Sequence, residues 1–133
     1  MLTLEEILDD VSVTPPFRHL ASVEVDSRGA NGETPLHWMA TLGDANAIII
    51  LLNNGVDIDE ADNDGNTPLH EAIMYCQAHA AKVLIEYGAS TSIKNVDGIS
   101  PEEMAKRNSY ALTQFLFNQK PEKWPRKLKQ RDR

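Results

Sequence analysis

The chain has 133 residues, 41% of them hydrophobic and 25% charged, which is enough for one domain with a real core, too little for two, and unlike a disordered chain. Its longest apolar run, Ala47-Ile48-Ile49-Ile50-Leu51-Leu52, is far short of the ~20 residues that cross a bilayer, and no charged leader segment precedes the opening MLTLEEILDDV, so a cytoplasmic protein is expected. The net charge of -7 hides an asymmetry: residues 1–119 hold six Lys/Arg against eighteen Asp/Glu, a net of -12, and residues 120–133 hold seven against two, a net of +5. An acidic body repels nucleic acid and attracts basic partners, while the short basic tail acts as a separate electrostatic object.

In chain order, Leu2, Leu4, Ile7 and Leu8 give one apolar helix face, and Thr14-Pro15-Pro16 separates that helix from the segment Phe17 to Val23. A repeat then takes over. Gly32-Glu33-Thr34-Pro35-Leu36-His37, Gly65-Asn66-Thr67-Pro68-Leu69-His70 and Gly98-Ile99-Ser100-Pro101-Glu102-Glu103 stand 33 residues apart, and the same offset relates Ile50-Leu51 to Val83-Leu84 and Leu116-Phe117. Within each unit an Asp/Asn-rich stretch ending in Gly suits a tight β-turn. Thr34, Thr67 and Ser100 then precede a proline, so a hydroxyl caps a short helix that opens on Pro. A second apolar helix follows over Asn46 to Asn54, His79 to Tyr87, and Tyr110 to Asn118, with Gly55 and Gly88 closing the first two.

These residues resemble the ankyrin-repeat family, whose unit is a β-turn and two antiparallel helices and whose signature contains T-P-L-H-x-A. The resemblance implies an all-α fold: a short ankyrin-repeat solenoid of helix-turn-helix units with β-turn or hairpin tips and helical caps. Repeats fall at 29–61, 62–94 and 95–119, the last a capping repeat with Glu102 and Glu103 in place of Leu and His, because a terminal unit needs a polar outer face. Val25-Asp26-Ser27-Arg28 is in register with Ile58-Asp59-Glu60-Ala61, so residues 1–28 are assigned to an N-terminal helical cap and 120–133 to a basic tail.

His37 and His70 first look catalytic. A His base needs a nucleophile and a metal site needs further ligands; neither stands at workable spacing, and no H-E-x-x-H, G-x-S-x-G or P-loop pattern occurs. The resemblance instead implies that this His ties adjacent repeats. Asp57, Asp59, Asp62 and Asp64 lack the twelfth-position Glu and Gly placement of an EF-hand and read as turn residues. Cys76, the lone cysteine, matches Gly43 one repeat earlier and reads as a packing residue. No enzyme, cofactor or metal is expected.

What remains is surface. The family's partners lie against the concave side, which carries over to Ala30, Asn31, Glu33, Trp38, Thr41 and Leu42 in the first repeat. The second repeat adds Asn63, Asp64, Asn66, Glu71, Met74 and Tyr75, and the third Val96, Asp97, Ile99, Arg107 and Asn108. Trp38 and Tyr75 are residue types that dominate interface energetics, though both also serve as packing between first helices. Glu33, Asp64, Glu71 and Asp97 make the face negative. The expectation is a non-catalytic module, monomeric when alone, that binds a protein with a basic surface, in its sharpest form as an inhibitor or immunity protein of a basic toxin or nuclease. The alternative is an adaptor whose tail contacts nucleic acid or an anionic membrane. Trp124 in that tail also suits a segment docked over the open end of the last repeat.

Overall fold

The computed structural model describes residues 2–18, 20 and 22–117; the basic tail, with Trp124, lies outside the described residues. Among the described residues there are seven helices and no strand: α1 (Leu4–Ser12), α2 (Pro35–Leu42), α3 (Ala45–Asn53), α4 (Pro68–Met74), α5 (Ala78–Glu86), α6 (Pro101–Asn108) and α7 (Tyr110–Phe117). None is long and apolar enough to cross a membrane.

Local chemistry sets each start. Thr3 and Glu6 form a reciprocal capping box on α1, at 3.2 and 2.9 Å. The Thr34 hydroxyl accepts from the His37 N–H at 3.3 Å, and the Thr34 N–H donates to His37 Nδ1 at 3.1 Å. Thr67 and His70 repeat the pair at 3.4 and 3.0 Å. Imidazole thus takes the place of the usual Glu. The outer helices α3 and α5 begin one residue earlier than the periodicity predicts; for α3, Asp44 is the cap and accepts from Ala47 N–H at 3.0 Å.

The helices stack in two layers, α2, α4 and α6 inside and α1, α3, α5 and α7 outside, each pair also packed within its own repeat. The core between them is continuous: Leu36, Ile48, Leu51, Leu69, Ile73 and Leu84 are fully buried, and the cap contributes Ile7, Val11 and Phe17. A stack of so few units has large open ends, so α1 covering α2 and α3 supplies apolar burial that the first repeat lacks alone.

The turns are hairpin-like tips joined one to the next. Each closes on a backbone bond: Gly29 N–H to Glu33 O at 2.7 Å, Asp62 N–H to Asn66 O at 2.9 Å, and Asn95 N–H to Ile99 O at 3.0 Å. Neighbouring tips share one backbone bond each, Asn63 N–H to Asn31 O and Val96 N–H to Asp64 O, both 3.0 Å. Close approach of successive tips requires glycine with positive φ: a Cβ on Gly65 would stand 2.9 Å from the Val96 nitrogen.

Cys76 departs from the packing role expected of it. It is exposed, with φ of 57°, at the left-handed position that ends α4. Its N–H bonds Ile73 O at 3.0 Å and that of Gln77 bonds Ala72 O at 2.8 Å, the same double closure that Gly43 and Asp44 make after α2. The backbone geometry that favours Gly there turns a side chain outward.

Candidate functional site: an acidic and aromatic cleft on the inner face

The floor of the site is the histidine pair's first member. His37 Nδ1 accepts from Thr34, so its proton sits on Nε2, which donates to the carbonyl of Asn66 in the next repeat at 2.7 Å. His70 Nε2 donates likewise to Ile99 O at 2.9 Å. Both rings are buried. Burial pushes each imidazole below the usual histidine range, only partly offset by the carbonyl that favours the proton. Neutral, doubly bonded rings are inter-repeat ties, as the resemblance implies, and have no lone pair left for chemistry.

Over this floor a cleft of about 410 Å³ opens between the first two repeats and the cap, lined by Pro15, Pro16, Asn31, Glu33, His37, Trp38, Thr41, Asp62, Asp64, Asn66, Glu71, Met74 and Tyr75. Four carboxyl groups line it and, among the described residues, no Lys or Arg does. Asp62 is held by the turn: one oxygen accepts from Asp64 N–H and Asn66 N–H, both at 2.9 Å. Glu33 accepts from Asn31 N–H at 2.8 Å. Glu71, on α4, accepts from the Thr41 hydroxyl at 3.3 Å across from α2. Burial first, and then the nearby charge of Asp62, push the Glu71 carboxyl up to about 7, with the charge of Glu33 adding to it and the Thr41 hydroxyl opposing it.

The apolar side of the cleft is half-buried Trp38, exposed Met74 and Tyr75, and the two prolines of the cap. The indole Nε1 of Trp38 is buried without a hydrogen-bond partner. An unmet buried donor costs roughly 1–3 kcal/mol, so the lining keeps an unfilled demand for an acceptor.

Nine of the residues carried over from the sequence therefore share one cleft: Asn31, Glu33, Trp38, Thr41, Asp64, Asn66, Glu71, Met74 and Tyr75. Asn66 lines the cleft from below its surface. It is buried, its carbonyl taken by His37, its N–H by Asp62 and its side-chain oxygen by Asn95 at 2.9 Å, because the third turn lies over it. Ile99 is likewise half-buried against the core. The others stand outside the cleft. Ala30 is exposed, its N–H bonded to Pro16 O at 2.8 Å; Leu42 and Asn63 are exposed; Val96 and Asp97 form the third tip; Arg107 pairs with Glu103 at 3.1 Å, and Asn108 ends α6.

Pro15, Pro16, His37 and Asp62 were not among the expected surface residues. Asp62 was legible in register: Gly29, Asp62 and Asn95 are 33 apart, and Asn95 braces its own turn through Asp97 N–H and Ile99 N–H as Asp62 does. The prolines precede the first of the three TPLH-type turns, and the 33-residue period read from those turns does not point to them.

A search among curated proteins finds no match to the chain. The family described as ankyrin repeats (3 copies) matches residues 13–95, more than half of the sequence. The match opens within the segment assigned to the cap, where Phe17 and Val23 are buried in the common core, and stops before α6 and α7, which repeat the capped turn and helix pair once more. With its 33-residue period, paired helices and histidine-tied turns, the chain belongs to the ankyrin-repeat family, a typically non-catalytic fold that serves as a module for binding other proteins.

Proposed function

We propose that the chain binds a partner protein through the cleft between its first two repeats, and that the partner contributes a cationic segment carrying an apolar side chain. The observation that carries this reading is the lining itself: four carboxyls with no cation among the described residues, one of them pushed up to about 7 by burial, beside Trp38, Met74 and Tyr75. A Lys or Arg placed there replaces the proton on Glu71 and meets Asp62 and Asp64, while its neighbours cover the aromatic side. The net -12 of residues 1–119 steers such a partner from a distance. Inhibition of a basic toxin or nuclease is the sharper form of this reading, since occluding a cationic active site needs an acidic surface of this kind.

The test is affinity purification from the native source with quantitative mass spectrometry, using wild type, Tyr75→Ala and Glu71→Gln. Basic proteins retained by wild type, lost from both variants and eluted by high salt would support it. Retention of neutral or acidic proteins that both variants keep and salt does not elute would contradict it.

A further inference from the structure

We propose that the chain's own basic segment, residues 120–133, occupies this cleft until a partner displaces it. The inference rests on the reading that the cleft takes a cationic chain, and adds what fills it first. Complementarity is the primary argument. Every ion pair among the described residues uses a carboxylate outside the cleft: Arg28 with Glu60, Lys82 with Glu86, Lys106 with Glu102 and Arg107 with Glu103. Thus, among the described residues, Glu33, Asp62, Asp64 and Glu71 have no cation, while seven of the thirteen Lys/Arg lie in the last fourteen residues.

Reach is the second argument. The described chain ends at Phe117 on α7, which packs on α6; α6 packs on α4, and α4 on α2. The cleft is therefore two to three helix spacings away, about 20–30 Å at 8–10 Å each. Sixteen further residues span up to about 55 Å when extended, so Lys127, Lys129, Arg131 and Arg133 reach it with length to spare. Tethering raises the local concentration of these cations to about the millimolar range. A partner must then outcompete the tail, which makes the segment an internal brake on binding.

Zero-length carbodiimide cross-linking of the full chain, with an equal mixture of ¹⁵N-labelled and unlabelled protein, tests this. Cross-links from the tail lysines are expected to concentrate on Glu33, Asp62, Asp64 and Glu71, within single chains, and to fall about fivefold or more at 1 M salt, where the Debye length is about 3 Å. Links spread evenly over acids such as Asp9, Asp44 and Glu86 would overturn it. So would links to Asp97, Glu102 and Glu103, the mark of a tail covering the last repeat, links only between chains, or no links to the body at all, as for a tail reserved for nucleic acid or lipid.

A companion measurement separates this inference from the reading beneath it. Titrating a synthetic lysine-rich peptide containing one tryptophan into the full chain and into a full chain with Lys127, Lys129, Arg131 and Arg133 replaced by Gln is expected to show about tenfold tighter binding to the second. Equal binding to both chains, lost in Glu71→Gln, would overturn the tail's occupancy and leave the cleft's role intact. Binding to neither would overturn both.

Discussion

The second and third repeats begin with a turn closed in the same way and a capped proline, and diverge in the two residues that follow it, Leu69-His70 in one and Glu102-Glu103 in the other. His70 is buried and reaches Ile99 O of the next turn at 2.9 Å; its counterpart Glu103 is exposed and pairs with Arg107 on its own helix. A Cβ on Gly65 would meet the backbone of the third tip, whereas, among the described residues, one on Gly98 meets nothing within 4 Å. One backbone solution thus serves two environments, and the side chain is decided by whether another repeat comes next. Where one does, a neutral ring with a donor and an acceptor fits; at the exposed position of Glu103 a charge takes its place and pairs within its own helix.

Replacing the ties tests this contrast most severely. His37→Ala or His70→Ala removes one of the two hydrogen bonds accepted by a carbonyl of the next turn and strands the N–H of Thr34 or Thr67, and is expected to cost about 2–4 kcal/mol in urea unfolding. Glu103→Ala should stay within about 0.5 kcal/mol. A similar loss in all three would erase the distinction between inner and terminal repeats. Next in size, Gly65→Ala and Gly98→Ala each cost roughly 1 kcal/mol for a left-handed residue, but only the first also pushes tips apart. Gly65→Ala should therefore shift the urea midpoint clearly further.

The pH dependence sharpens the comparison between tie and cleft, because the two carry opposite signs. With the imidazole pKa lowered in the fold, the unfolded chain binds more protons below about 6.5, so the stability contributed by His37 and His70 falls as pH drops through that value toward the folded one. With Glu71 raised from 4.5 to about 7, the folded chain holds the proton the unfolded chain has lost, so its contribution is full below 4.5 and is lost as pH rises toward 7. Glu71→Gln should therefore stabilise more at pH 8 than at pH 5, in paired denaturation curves. The smallest expected effect is at the end of α4: Cys76→Gly relieves a left-handed non-glycine and should add about 0.5–1 kcal/mol, measured the same way.

Much of this was legible in the sequence, for reasons that differ by residue. The 33-residue offset, with Thr-Pro or Ser-Pro at each helix start, placed α2, α4 and α6 because caps are local chemistry. Depth was harder to read. Asn66 looks like a turn-tip residue from its neighbours, yet the tip beyond it engages its side-chain oxygen, and that contact spans 29 residues. Pro15 and Pro16 enter the cleft by tertiary folding of the cap, which no period announces. Register identifies the equivalence of Cys76 to Gly43 without saying that the equivalence is one of φ and not of packing.

The measurement closest to the central claim, that the TPLH histidines are ties between repeats, is the protonation of the His37 and His70 rings by long-range ¹H–¹⁵N NMR between pH 8 and pH 5. The account predicts that both rings remain neutral through pH ~6.5 with the proton fixed on Nε2, and that they take up charge only as the fold weakens. Two rings that exchange tautomers at pH ~7 and titrate near ~6.5 in the intact fold would contradict it.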